Sequence, residues 1–123
     1  MQLVIFAATL LASIVITQAQ INADRLDRVN IDEILANKRL LIAYIKCTLD
    51  TGRCTSEGRE LKSHITEALQ KGCDSCTEDQ KNSVRKVISH LINNEQDYWK
   101  ELVQKYDSEG VFSKKYEDEL RAL

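Results

Sequence analysis

The sequence predicts a single all-α domain, and three observations support that fold class. The chain has no proline and only four glycines among 123 residues, so it lacks most of the residues that form hairpin turns. Apolar residues recur at helical spacing along most of its length. A chain of this size has enough apolar side chains for one hydrophobic core and too few for two. We therefore predict one six-helix bundle.

The N-terminal segment, residues 1–19, is predicted to be a secretory signal. Residues 3–16 form an uncharged apolar run that is too short to span a bilayer comfortably, and Thr17 and Ala19 are small residues at the positions that signal peptidase reads. A buried N-terminal helix is the alternative. Cleavage after Ala19 would leave residues 20–123 as one secreted, extracellular domain. No second apolar run of comparable length follows, so we expect no membrane anchor.

Two helices are predicted before the second cysteine. Asn30 is a typical N-cap with an acidic residue, Glu33, three positions later, and it begins a short helix that runs to about residue 36. A longer helix follows over residues 38–50. Gly52 lies just beyond that run, where it would end the helix.

The middle of the chain predicts two more helices with recognisable ends. Thr55 or Ser56 caps a helix that continues through Gln70, and Gly72 follows as its stop signal. Residues 77–80 have the sequence of a capping box at the start of the next helix. That helix has the clearest amphipathic stripe in the sequence. The stripe consists of Val84, Val87, Ile88, Leu91 and Ile92.

Two C-terminal helices complete the predicted bundle. Aromatic and aliphatic residues at helical spacing mark the first of them, and residues 107–110 interrupt the pattern. The first stripe is Tyr98, Trp99, Leu102, Val103 and Tyr106. The second stripe is Val111, Phe112, Tyr116 and Leu120.

Charge and the scarcity of reactive groups argue against nucleic-acid binding and catalysis. Lys and Arg number 17 against 19 Asp and Glu, for a formal net charge of -2, so no basic field exists to collect phosphates. His64 and His90 are the only histidines, and we expect both on helix surfaces. No Ser-His-acid or metal-ligand spacing is apparent. We expect no enzymatic activity, no cofactor and no metal.

Four cysteines stand at positions 47, 54, 73 and 76. An even number of cysteines in a short exported chain indicates disulfides, but spacing alone permits three pairings. A four-cysteine zinc site is disfavoured by export. A redox centre at Cys73 and Cys76 is disfavoured because no βαβ pattern surrounds them.

The cysteine spacing C-x6-C-x18-C-x2-C and its flanking segments closely resemble the insect chemosensory proteins, also called the OS-D or A10 family. The resemblance runs from about residue 27 to residue 120. The segments that carry it are residues 30–35 (NIDEIL), 39–41 (RLL), 44–47 (YIKC), 57–62 (EGRELK) and 114–119 (KKYEDE).

The resemblance implies a fold, a disulfide pairing and an activity. The implied fold is a six-helix bundle around an apolar channel, with Cys47 paired to Cys54 and Cys73 paired to Cys76. The implied activity is reversible binding of long-chain alcohols, fatty acids, esters and other semiochemicals. Since both rings are local, we expect the channel to widen for bulky ligands. Roles in development and regeneration are also proposed for the family, so a surface-acting interaction protein is the alternative.

Individual binding residues are carried over only where this sequence matches the family. Tyr44 matches the channel tyrosine before the first cysteine, Gln80 matches the glutamine that opens the fourth helix, and Trp99 matches the tryptophan of the next helix. Two positions depart from the pattern. Leu26 replaces an N-terminal tyrosine, and Phe112 replaces a C-terminal aromatic that is often tryptophan, so the channel mouth is expected to be more apolar than usual.

The complete predicted ligand site combines these positions with the apolar helix stripes. Stripe residues are in general core residues, and a channel wall is a core that is incompletely filled. The predicted ligand is a neutral or weakly polar long-chain molecule, and the protein is expected to be a monomer. The predicted ligand-binding residues are Leu26, Leu41, Tyr44, Ile45, Leu61, Ile65, Leu69, Gln80, Val84, Val87, Leu91, Tyr98, Trp99, Phe112 and Tyr116.

Overall fold

A computed structural model describes residues 29–121 and contains six α-helices and no strand over that range. The predicted all-α fold is confirmed. The predicted signal segment and Leu26 lie outside the described residues. None of the described helices is long and apolar enough to cross a membrane. The helices are α1 (Ile31–Ala36), α2 (Lys38–Thr48), α3 (Ser56–Lys71), α4 (Glu78–Asn94), α5 (Gln96–Tyr106) and α6 (Ser113–Leu120).

Side-chain caps fix the first residues of four helices, because the free N–H groups of a first turn need acceptors. Asn30 accepts from the N–H of Glu33 at the start of α1. Asn37 accepts from the N–H of Leu40 at the start of α2, and Thr55 accepts from the N–H of Gly58 at the start of α3. At the start of α4, Thr77 and Gln80 form the predicted capping box reciprocally.

Helix α2 ends two residues earlier than the predicted Asp50. The hydroxyl of Tyr106 on α5 donates a hydrogen bond to the carbonyl of Thr48, so that carbonyl is satisfied from another helix. Asp50 itself has φ 63°, a left-handed conformation that does not continue a helix. The contact with Tyr106 is made across 58 positions of sequence, which local helix patterns do not encode.

Helix α6 begins at Ser113, two residues after the first residue of its apolar stripe. The cause is the side chain of Asp107, which is only 8% exposed. Its carboxylate accepts hydrogen bonds from the backbone N–H groups of Val111, Phe112 and Ser113, at 3.0, 3.1 and 2.6 Å. These three N–H groups lie at the start of α6 and would otherwise have no hydrogen-bond acceptor within the helix. Asp107 thus acts as a distant N-cap.

The disulfides join neighbouring cysteines, which confirms the local pairing. Cys47 at the end of α2 bonds Cys54 just before α3, with Cα atoms 5.0 Å apart. Cys73 and Cys76 are bonded in the turn between α3 and α4, with Cα atoms 5.2 Å apart. Each bridge closes an interhelix connection and leaves the helices across the bundle unlinked.

The core forms where the apolar faces of all six helices meet. Helix α2 packs on α3, α1 contacts α2 and α4, and α4 packs against both α5 and α6. The burial of these stripes supplies most of the stabilising free energy of such a bundle. The most completely buried large side chains are Leu69, Ile88, Leu91, Ile92, Leu102 and Val84.

His64 differs from the predicted surface histidine. Both of its ring nitrogens are buried and have no hydrogen-bond partner within the described part of the chain. The carboxyl of the nearby Glu67 has a lowered pKa, chiefly because Ser75 donates hydrogen bonds to it, and the proximity of His64 is a smaller cause. Helical periodicity places position 64 at the edge of the apolar face of α3, where packing rather than pattern decides burial.

Candidate ligand-binding cavity

An interior cavity lies where α2, α3, α4 and α5 meet. Its free volume is about 10 Å³, which is close to the space that one water molecule needs. The cavity is therefore nearly filled by its own wall side chains in this conformation. Its wall consists of Leu41, Tyr44, Ile45, Thr48, Leu61, Ile65, Val87, Leu91 and Leu102.

The wall of this cavity is apolar except for two hydroxyl-bearing side chains. Thr48 is 3% exposed, and its hydroxyl donates to the carbonyl of Tyr44 at 2.9 Å. That hydrogen bond satisfies the hydroxyl donor, so Thr48 does not need a hydrogen-bond acceptor on the ligand. No charged side chain lines the cavity. Such a wall suits a hydrocarbon chain and would penalise a buried ion.

Tyr44 lies between this cavity and a shallower outer pocket. The outer pocket has a free volume of about 110 Å³ and lies beside Cys47, with Arg53, Thr55 and Gly58 among its lining residues. Burial raises the pKa of the Tyr44 hydroxyl, and the nearby carboxylate of Glu57 raises it further. Tyr44 is therefore neutral at ordinary pH, and its hydroxyl is a hydrogen-bond donor at the boundary between the two spaces.

Seven of the predicted ligand-binding residues meet in the cavity wall. Leu69 and Val84 are fully buried in the core but do not line the cavity. The seven residues are Leu41, Tyr44, Ile45, Leu61, Ile65, Val87 and Leu91.

Three predicted polar or aromatic positions lie away from the cavity wall. Gln80 forms the capping box with Thr77 at the start of α4. Trp99 is 3% exposed, and its indole N–H donates to a carboxylate oxygen of Glu117 at 2.7 Å. Tyr98 lines a wide groove on the outer face of α5.

Phe112 and Tyr116 lie at a different place, in a surface pocket formed by the end of α3 with α4 and α6. This pocket has no lining residue in common with the interior cavity. Contact between either side chain and a ligand in the cavity stays a prediction.

The predicted set did not include Thr48 and Leu102, although both line the cavity. Thr48 follows Tyr44 by four residues and so lies on the same helix face. Leu102 belongs to the apolar stripe of α5. Helical spacing could therefore have predicted that both residues face the core. Thr48 was omitted because threonine is a polar residue type.

Residues 29–121 contain no evident metal-binding site. No group of three or more histidine, cysteine, aspartate or glutamate side chains is arranged there to hold a metal ion. All four cysteines are bonded in disulfides.

Comparison with known proteins identifies the family. Residues 23–114 match the model of the insect pheromone-binding family, A10/OS-D. The chain belongs to the A10/OS-D family. This membership confirms the resemblance that the cysteine spacing indicated. The chain is 40% identical over 123 residues to Allergen Tha p 1 of Thaumetopoea pityocampa, covering 100% of this chain and 98% of that relative.

Solved structures of A10/OS-D proteins share the helical fold. Antennal chemosensory protein A6 from the moth Mamestra brassicae superposes with a TM-score of 0.73 at 52% identity, over 75% of this chain and 90% of that one. A chemosensory protein in complex with bromo-dodecanol superposes with a TM-score of 0.71 at 52% identity, over 78% and 96% of the two chains. The latter comparison associates the shared fold with a long-chain alcohol in that related protein.

Proposed function

We propose that this protein is a secreted carrier that reversibly binds long-chain hydrophobic molecules in its interior cavity. The observation that carries the proposal is the cavity wall itself, which is built from four helices and has no charged side chain. The ligand class is that of long-chain alcohols, fatty acids, esters, odorants or pheromones. The complex of a related chemosensory protein with bromo-dodecanol supports this class.

Binding requires the cavity to expand. A free volume of about 10 Å³ cannot accept a twelve-carbon chain, so wall side chains or whole helices must move. Both disulfides are local, with sequence separations of 7 and 3 residues, so no covalent link opposes separation of α2 from α4 or α5. Polar contacts that link α2 and the turn after it to α5 include the Tyr106 hydrogen bond to Thr48 and the Lys105–Asp50 ion pair at 3.3 Å.

The expected affinity is moderate. Burial of about twelve methylenes contributes roughly 10 kcal/mol before costs. Association and chain ordering subtract several kcal/mol. The result is a Kd of about 1 to 10 μM for a twelve-carbon alcohol, and this value suits reversible carriage.

Calorimetric titration with a series of linear alcohols tests the carrier function. We expect saturable binding that tightens with chain length until the cavity is full. Ile65→Phe, which adds bulk to the wall, should weaken dodecanol binding. Ser63→Phe is the matched control because Ser63 is exposed on the same helix, and it should leave binding unchanged. Circular dichroism verifies that both variants fold.

Absence of binding across the whole series by folded protein would contradict the carrier function. That result would favour the alternative of an interaction protein that acts through its surface in development or tissue remodelling.

The secretory part of the proposal has a separate test. When the full chain is expressed in insect cells, we expect the protein in the medium with Gln20 as its first residue. Intact protein retained inside the cells would contradict export.

A further inference from the structure

A second pocket, on the protein surface, has the size of a ligand site and combines charged with aromatic side chains. It lies between the C-terminal end of α3, the middle of α4 and the start of α6, and its free volume is about 390 Å³. Ligand sites in proteins typically occupy 300–1,000 Å³. We refer to it as the basic pocket, because Lys71, Arg85 and Lys115 line it together with Phe112 and Tyr116.

Tyr116 contributes a hydroxyl group to the basic pocket. Its side chain is only 9% exposed and lines the pocket. Its hydroxyl is not among the fully buried polar atoms that lack a partner in residues 29–121, so it is open to the pocket, where water or a ligand can bond to it. Burial raises the pKa of Tyr116, and the nearby Arg85 only partly offsets that effect. The group is therefore a neutral O–H donor that an acceptor on a ligand would satisfy.

The charges around the pocket favour one negative charge on the ligand. Arg85 is engaged by Glu119, with Nη1 and Oε2 2.9 Å apart, so this pair is close to neutral. Lys71 and Lys115 also line the pocket. Lys115 forms no ion pair with another described residue, whereas Lys71 is close enough to Glu67, outside the pocket wall, to help lower the pKa of that carboxyl. Asp74 is the remaining acidic group in the wall. Among the lining side chains, two lysines against one carboxylate leave a surplus of one positive charge, which is centred on Lys115.

An aromatic side chain supplies the apolar part of the pocket. The ring of Phe112 packs against Gly72, where an added Cβ would lie 2.8 Å from the ring atom Cε1. The ring therefore lies directly against the Gly72 backbone. Val111, beside it in the pocket wall, is 63% exposed. It is the large hydrophobic side chain of the described residues that is most exposed to solvent.

We propose that the basic pocket is a second binding site, specific for a small carboxylate that carries an aromatic ring or a short apolar chain. The carboxylate accepts a hydrogen bond from Tyr116 and lies near Lys115 and Lys71. The apolar body of the ligand packs on Phe112. This site is independent of the interior cavity, because the two share no lining residue.

The test uses naphthoate as the probe and dodecanol as the occupant of the interior cavity. Calorimetry measures naphthoate binding to the folded protein with and without saturating dodecanol. We expect the same affinity in both cases. The neutral naphthalenemethanol should bind at least about fivefold more weakly, since it lacks the charge that the lysines attract. Amide chemical shifts should change at Gly72 and Val111 and stay constant at Leu61.

Substitutions in the basic pocket provide the second arm of the test. Tyr116→Phe removes the donor and should weaken naphthoate binding about tenfold, as expected for a hydrogen bond to a charged group. Lys115→Gln should weaken it about threefold, since the ammonium group is exposed. Lys114→Gln is the matched control, because Lys114 is an adjacent exposed lysine that does not line the pocket. It should leave the affinity unchanged.

Two results would overturn the second site. One is displacement of naphthoate by dodecanol together with shift changes at Leu61, which would place naphthoate in the interior cavity. The other is a naphthoate affinity that Tyr116→Phe and Lys115→Gln leave unchanged. Dodecanol binding alone tests the carrier function, so the failure of either proposal is recognisable without the other.

Discussion

The indole N–H of Trp99 donates a hydrogen bond to Glu117, with Nε1 and Oε1 2.7 Å apart. Trp99 lies on α5 and Glu117 on α6, so the bond joins two helices that are consecutive in the chain. Helix α6 also packs on α4, and Asn93 of α4 donates to the carbonyl of Leu120 at 3.0 Å. The last helix is therefore held in place by polar contacts in addition to its apolar stripe.

Replacement of Glu117 by alanine should destabilise the protein. The indole N–H of Trp99 is buried and would lose its acceptor, which costs about 1 to 3 kcal/mol of unfolding free energy. The ion pair of Glu117 with Arg121, at 3.8 Å, is exposed and adds little. Urea unfolding followed by Trp99 fluorescence measures the change. Asp118→Ala, at the exposed neighbouring position, is the control, and equal stability of the two variants would contradict the importance of this bond.

Asp107 should make the stability of the protein depend on acid pH. Burial alone would raise the pKa of its carboxyl, but hydrogen bonds from Ser113, Phe112 and Val111 outweigh burial and lower the pKa. A carboxyl whose pKa is lowered by folding stabilises the protein fully above its unfolded pKa of about 3.9. This stabilisation is lost as the pH falls below that value, through the lower pKa of the folded state.

Asp107→Asn tests this dependence. The substitution should lower the free energy of unfolding by about 2 kcal/mol near neutral pH, because one charged acceptor of three N–H groups is removed. The difference from the unmodified protein should shrink as the pH falls below about 4. Glu109→Gln is the control at an exposed position of the same loop. A difference that stays constant between neutral and acid pH would show that the charge of Asp107 is not responsible.

Most of the helices could be predicted because residues close in sequence determine where they begin. Asn30 and Thr77 each have their capping partner three residues away, so short-range pattern and final structure agree. The ends that pattern misplaced depend on distant partners. Thr48 ends α2 with the help of Tyr106, and such a contact becomes visible only after the helices pack.

The cavity could be predicted only as part of a core. Leu69 and Leu91 occupy equivalent positions in apolar stripes and are both almost completely buried, yet only Leu91 lines the cavity. The same limit applies to Tyr116, whose stripe position indicates burial but not the pocket that it faces. A void is a property of how side chains from several helices fit together, and periodicity in one helix does not report it.

Gly72 should be less tolerant of substitution than Gly110. Both have positive φ, 65° and 74°, so alanine is strained at either position, by about 1 kcal/mol. At Gly72 an added Cβ would also lie 2.8 Å from the ring of Phe112, whereas at Gly110 the nearest atom is 3.8 Å away. Gly72→Ala should therefore cost about 2 to 3 kcal/mol.

Thermal unfolding of the two glycine variants measures this difference. Adding Phe112→Leu to Gly72→Ala should recover part of the lost stability, because leucine removes the ring that meets the new Cβ. Equal losses for Gly72→Ala and Gly110→Ala would show that the contact with Phe112 has no energetic weight.

The cavity wall predicts that Leu91→Ala and Leu69→Ala have the same effect on stability but that only Leu91→Ala changes ligand binding. Both side chains are buried, at 1% and 0% exposure, so each truncation should cost about 3 kcal/mol of unfolding free energy. Leu91→Ala also enlarges the interior cavity, and a ligand that fills the new space regains about 1 kcal/mol. Dodecanol should then bind about fivefold more tightly to Leu91→Ala, while Leu69→Ala keeps the original affinity. Calorimetry with protein shown to be helical by circular dichroism measures both values. Equal affinities of the two variants would place the alcohol outside the cavity, because a ligand in contact with Leu91 must respond to the loss of that side chain.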